Sequence, residues 1–194
     1  MAKRIPPEMI SDAPLSTSKN PEPAAAGLPI DPDDAGELIG RTVTINRTPH
    51  ELYTFWRDFR NLPLFMENIE SVHILDDTRS HWKVKAPADK TVEWDSLITE
   101  DVPGEVIAWR SDHNASIANS GRIEFRKSAN NRGTQVTVTI VYDPPAGAIG
   151  KMIAKLFQRE PHVQARQDLR RFKQLMETGE ISTSQPPAAA PRGE

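Results

Sequence analysis

Cysteine is absent from the 194-residue chain. Disulfides, thiolate metal sites and a thiol nucleophile are excluded with it. Tyrosine is scarce, at two residues, and no hydrophobic run is long enough to span a bilayer. The N-terminal stretch MAKRIPPEMISDAPLS has two early cations with no apolar segment behind them, so it does not read as a secretory signal. A cytoplasmic protein is the expectation. Gly-rich phosphate loops, Walker motifs and dinucleotide fingerprints are also missing, and no cofactor is expected. His50, His73, His81, His113 and His162 form no i, i+4 ligand pair, so no metal is expected either.

What is present is an ordinary composition for one domain plus extras, 37% hydrophobic and 26% charged. Seventeen prolines are many for one compact domain, and they cluster at the two ends. Residues 1–38 mix proline, alanine, serine and acids without period, and their large apolar residues are isolated. Such a segment buries too little surface to offset its ordering entropy, so a disordered acidic tail is expected, or else a partner-binding arm. The final STSQPPAAAPRGE, 182–194, reads as a second tail. Between them, residues 39–181 are enough for one well-formed core. The first tail holds three bases against seven acids, net −4 of the chain's −3, which leaves the remainder at +1. A near-neutral body does not suit a nucleic-acid binder, which needs a cationic footprint.

The hydrophobic period changes along the body in a readable order. RTVTINRT alternates, with Val43 and Ile45 on one face, and predicts a strand. Thr48 is then a candidate N-cap, with Pro49 first in the helix and Glu51 at capping-box spacing. Leu52, Phe55, Trp56 and Phe59 recur at helical intervals, and Pro63 begins a second short turn with Leu64, Phe65 and Met66.

From Ile69 to Tyr142 the alternation returns and predicts six antiparallel strands. In TVEWDSLITEDV, residues Val92, Trp94, Ser96, Ile98, Glu100 and Val102 share the inward parity, with Thr91, Glu93, Asp95, Thr99 and Asp101 on the other. Ile107 and Trp109, Ile123 and Phe125, and Val136, Val138, Ile140 and Tyr142 continue that inner face. After DPPAG a helical stripe runs from Ile149 to Leu175, with a break expected near Gln158–His162 at Pro161 and a stop at Gly179.

These elements predict an α+β chain: a curved seven-stranded antiparallel sheet, two short helices after the first strand, and one long C-terminal helix over the concave face. One helix cannot fill the whole concave face, so a cavity is expected between it and the sheet. The order is similar to the helix-grip fold of the START-like, polyketide cyclase/dehydrase and coenzyme-Q-binding superfamily. VEWDSLITEDVPGEVIAWRS, SGRIEFRKS…RGTQVTVTIVYDPPAG and FQREPHVQARQDLRRFKQLMETGEI resemble its bacterial cyclase/dehydrase-type branch over residues 41–181. That resemblance implies hydrophobic ligands such as lipids, quinones or polyketides. Fold alone does not fix function.

The candidate ligand-binding residues are Trp94, Ser96, Ile98, Trp109, Phe125 and Tyr142 of the sheet with Ile153 and Phe157 of the helix. Each aromatic has a plain alternative as core filling. Weak catalytic candidates are Glu100, whose carboxyl would be perturbed if it faced the cavity, His113 in the polar loop SDHNASIANSG, and the Tyr142 hydroxyl. His73 and His81, like Arg110 and Arg122, take the outward parity and suit surface ion pairs. The C-terminal helix carries seven bases against three acids and could rest on an anionic membrane, though a solvated outer face is the commoner arrangement. Binding or carriage of a small hydrophobic molecule is the first functional reading. A cyclase or dehydratase acting on a polyketide-like substrate, or a partner-binding accessory domain, is the alternative. No oligomeric state can be read from the sequence.

Overall fold

The computed structural model describes residues 37–86, 90–115, 117–129, 132–143 and 161–182, with the backbone alone at 37–39, 142–143 and 161–162. The tails expected at 1–38 and 182–194 fall almost wholly outside these residues.

Seven strands form one antiparallel sheet: β1 (Glu37–Ile45), β2 (Ile69–Ile74), β3 (Arg79–Ala86), β4 (Lys90–Val102), β5 (Val106–Ser111), β6 (Ala118–Lys127) and β7 (Thr134–Asp143). Its order is β1-β7-β6-β5-β4-β3-β2. Strands β2 to β7 run as a meander, and β1 closes it by pairing with β7 from Glu37↔Tyr142 to Ile45↔Thr134. Helix α1 (Pro49–Arg57) and a 3-10 helix (Phe59–Leu64) follow β1, and α2 (Pro161–Thr178) follows β7. This is the helix-grip α+β architecture.

Local signals explain the helix boundaries. The Thr48 hydroxyl accepts from the Glu51 N–H, and the Thr48 N–H donates to the Glu51 carboxylate at 2.8 Å, so the capping box is formed. The second helical turn begins at Phe59 rather than at Pro63. Asp58 accepts from the Arg60 N–H and so caps a new start there, while Asn61 ties the turn back to the Phe55 carbonyl at 2.9 Å. In the described residues α2 opens at Pro161 and ends at Gly179, whose φ of +79° admits the left-handed stop and whose N–H donates to the Leu175 carbonyl.

The core lies where these helices meet the concave face. Trp56 of α1, Phe65 after the 3-10 helix and Phe172 of α2 are all buried, with ring centroids 4.9–5.2 Å apart. The same end holds Leu52, Phe59 and Leu62 against Ile107, Ile123 and Val136 of the sheet.

One irregularity re-aims part of the sheet. In the β4–β5 ladder Ile98 faces Trp109, but Glu100 faces Ala108, so the register slips by one residue at Thr99. Beyond such a bulge every side chain changes face. Glu100, expected inward, therefore lies on the convex side, where it pairs with Arg122. Asp101, expected outward, turns towards α1 instead. It accepts from the Tyr53 hydroxyl and the Arg57 Nε, both at 2.6 Å. Burial first, and then this hydrogen bond, push the Tyr53 phenol up to about 12.

Gly121 of β6 is required by a close approach. A Cβ there would stand 2.2 Å from the Trp109 ring, which lies across the strand in the space a side chain would fill. Gly121→Ala is expected to destabilise the fold by about 1–3 kcal/mol through overpacking. Urea unfolding of that variant and of Gly121→Ala with Trp109→Leu checks this. The second change should recover much of the loss.

Candidate functional site

Beyond the packed aromatic end, a cavity of about 170 Å³ lies between the sheet and α2. Its sheet wall is Trp82, Val84, Trp94, Trp109, Val138 and Ile140. The strand pairing places Trp82 directly opposite Trp94, with rings stacked at 6.3 Å and 10°. Trp109 is also near-parallel to Trp82, with centroids 6.5 Å apart and planes at 14°. Three near-parallel indoles thus line the sheet side of the cavity. The Trp82 N–H is satisfied by the Ser80 hydroxyl at 2.9 Å. The opposite wall is Trp56 and Leu62, then Met66 and Ile69, then Gln164, Ala165, Asp168 and Leu169 of α2.

Two polar features stand out in this apolar setting. Asp168 is 8% exposed and is the one ionisable side chain among the described residues that line the cavity. Burial pushes its carboxyl up to about 7, against the opposing pull of the Arg171 guanidinium. Arg171 donates one long hydrogen bond to Asp168 at 3.5 Å and pairs more closely with Glu67 at 2.5 Å. The second feature is the Trp56 indole N–H. It is fully buried and has no hydrogen-bond partner among the described residues. A buried indole N–H ordinarily finds one.

Of the residues singled out from sequence, Trp94 and Trp109 line this cavity. Ser96 is buried on the inner face, but its hydroxyl donates to the Arg110 carbonyl at 3.0 Å. Ile98 packs against the core, and Phe125 is buried with its ring edge-on to Tyr53 at 6.2 Å. Neither is among the cavity residues. His113 is exposed and meets the outward Arg110 at 3.1 Å, away from the cavity, although Ile117 and Asn119 beyond the same loop reach it. Tyr142 is described in its backbone only, and Ile153 and Phe157 lie outside the described residues. His73 and His81 are cross-strand partners on the outer face, where His81 meets Asp95 at 2.7 Å.

Asp168 was not found from sequence because it was counted with the charges of a solvated helix face. Its spacing carried the signal, four residues before Phe172 and one before Leu169, on the apolar stripe. Parts of the basic face also turn inward. Arg171 and Lys173 bond to Glu67, Thr44 and Glu177, whereas Arg166 and Arg170 are exposed.

A curved sheet gripping one helix over an apolar chamber defines the class, and comparison with known proteins gives the family. Residues 45–170 match the model of the polyketide cyclase / dehydrase and lipid transport family, to which the chain belongs. An uncharacterised 17.2 kDa protein of Streptomyces lincolnensis is 27% identical over 140 residues, covering 72% of this chain and 89% of that one. A crystal structure from Deinococcus radiodurans is 42% identical with a TM-score of 0.62, over 74% of this chain and all (100%) of the other. The Zhui aromatase/cyclase of a Streptomyces species shares the fold, at 16% identity and a TM-score of 0.58, over 76% of this chain and 99% of its own. No helix among the described residues is long and apolar enough to cross a membrane.

The Asp168 carboxyl makes stability depend on pH. The unfolded chain loses this proton near 3.8 and the folded chain near 7. The folded state is therefore penalised progressively as pH rises between those values, and fully above the higher one. Asp168→Asn cannot titrate, so its stability relative to the parent should rise from pH 5 to pH 8 by on the order of 2–3 kcal/mol. Denaturant unfolding of both proteins at the two pH values measures this. A constant difference would mean that the carboxyl titrates normally.

Proposed function

We propose that the protein binds a small hydrophobic molecule in the cavity between the sheet and α2. The observation that carries this reading is the wall of three near-parallel indoles, Trp82, Trp94 and Trp109, facing open space rather than filling it. Flat aromatic surfaces in a concave apolar setting suit a flat ligand. The size narrows the class. A volume of about 170 Å³ lies below the usual range for drug-sized ligands, and it is close to that of an engineered cavity known to hold benzene. One or two fused rings, or a chain of similar bulk, fit that space.

Native mass spectrometry of the protein from its own host, followed by extraction, tests the reading directly. A retained stoichiometric small molecule supports it. A second arm uses Ala165, which lies on the α2 side of the cavity. Ala165→Phe places a ring in the ligand's space and should abolish both retention and any thermal shift with added naphthalene. Glu100→Gln, on the convex face, should change neither. An empty protein with no thermal shift against a panel of one- and two-ring compounds would turn attention to partner binding.

One observation favours a second reading, in which a bound polyketide-like substrate is cyclised or dehydrated. A carboxyl with its proton poised near neutrality is suited to acid–base work, and Asp168 is such a group on the cavity wall. Glu100 cannot serve, since the bulge takes it to the other face. Turnover that falls at least a hundredfold in Asp168→Asn while binding persists would favour the enzyme; a ligand recovered unchanged favours carriage.

A further inference from the structure

Charge is distributed one-sidedly around the cavity. Among the described residues that line it, Asn68, Asn119 and Gln164 are neutral amides, Asp168 is an acid, and none is a lysine, arginine or histidine. Behind Asp168 stands a group of three charges rather than a pair. Arg171 donates to Asp168 Oδ1 at 3.5 Å and pairs with Glu67 at 2.5 Å, so two acids share one guanidinium. With all three ionised, one negative charge is left over. Arg171 lies closer to Glu67, so the uncompensated charge falls on the cavity side, at Asp168. Asp168 Oδ2 makes no hydrogen bond to a described residue, and it is not sealed in: the fully buried side-chain atom without a partner is the Trp56 nitrogen.

We propose that the ligand of this cavity is an aromatic amine, held as a cation by the Asp168 carboxylate while its rings lie along Trp82, Trp94 and Trp109. This rests on the cavity being a ligand site and adds the charge that the ligand carries. An ammonium group has donors and no acceptor, so it needs acceptors around it. Asp168 supplies one. Gln164, four residues earlier on the same cavity-lining side of α2, supplies a second, since its half-buried amide makes no hydrogen bond to a described residue.

The same features select against an anion. A carboxylate ligand would leave water for a chamber that offers it no cation among the described residues, and it would meet a like charge at Asp168. A neutral ligand avoids that repulsion and leaves Asp168 as it was. A cation balances the Glu67–Arg171–Asp168 group, and its attraction to the carboxylate offsets the desolvation of both charges when the hydrogen bonds are also made. The aromatic side chains of the opposite wall agree with this choice, because ring faces attract cations rather than anions.

Isothermal titration of the full chain at pH 8 with naphthylmethylamine, naphthalenemethanol and naphthoate tests this. The three share one ring system, and at that pH they are a cation, a neutral molecule and an anion. The amine should bind roughly tenfold more tightly than the alcohol, and the alcohol at least roughly tenfold more tightly than the acid. Asp168→Asn removes the charge and keeps the shape, so the amine should fall to the alcohol's level. Alcohol binding, which reports an intact cavity, should change by less than about threefold in that variant. Glu67→Gln, at an exposed position outside the cavity, leaves Arg171 to Asp168 alone and should cut the preference for the amine roughly threefold. It carries the test if Asp168→Asn does not fold. An alcohol that binds as tightly as the amine, an acid that binds more tightly than the alcohol, or a preference for the amine undiminished in these variants would overturn amine recognition and leave cavity binding standing. Binding of none of the three would overturn both.

Discussion

The joint between Trp56, Phe65 and Phe172 is the contact on which the rest of this structure depends. Three buried rings from α1, the turn after the 3-10 helix and α2 meet within 4.9–5.2 Å of one another. They are the place where the C-terminal helix is held against the aromatic plug of the concave face. Truncating any one would remove both transfer free energy and packing, a loss of about 3–5 kcal/mol for a buried aromatic. The cavity lies beside this joint, between the sheet and residues Gln164 to Leu169 of α2. Asp168, one turn from Phe172, is buried there and shares the Arg171 guanidinium with Glu67.

A second constraint acts within the sheet. Trp109 can lie flat along the inner wall only because β6 has no side chain at Gly121. The ring takes the volume that a Cβ would need, and its stacking on Trp82 follows from that position. On the outer face the charges are arranged quite differently. Glu70, Lys83, Glu93, His81 and Asp95 form a chain of exposed cross-strand pairs, each contributing little on its own. The two faces therefore divide the work: the inner one holds the aromatic surface, and the outer one keeps the sheet in water.

The architecture was legible from the sequence because its signals are periodic. Val43 and Ile45, Ile107 and Trp109, and Val136 and Val138 keep strict alternation, and the Thr48–Glu51 box marks a helix start that the structure forms. The site was legible only in part, for two physical reasons. The bulge at Thr99 inverts the facing of Glu100 and Asp101, and no glycine or proline at that point announces it. Parity counting extends correctly from Val92 to Ile98 and then fails for every residue to the end of the strand. The other reason concerns charge. Asp168 was grouped with the bases and acids of a solvated helix, when its spacing from Phe172 put it on the buried stripe. A periodic reading treats a carboxylate on an apolar face as noise, yet that is where a polar residue says most about function.

The same reasoning separates structural from functional polarity inside this protein. Ser80, Ser96 and Ser111 are buried in register across β3, β4 and β5, and each hydroxyl is used within the chain, by Trp82, by the Arg110 carbonyl and by the Asn119 N–H. Asp101 is likewise consumed by Tyr53 and Arg57, where it locks α1 onto the sheet. Such groups are complete without a ligand. Among the described residues the Trp56 indole N–H is the exception, buried without an acceptor, while Asp168 accepts at 3.5 Å from an Arg171 guanidinium that it shares with Glu67. Asp168 is also the one ionisable side chain among the described cavity residues, so a polar atom on a ligand would be felt there first.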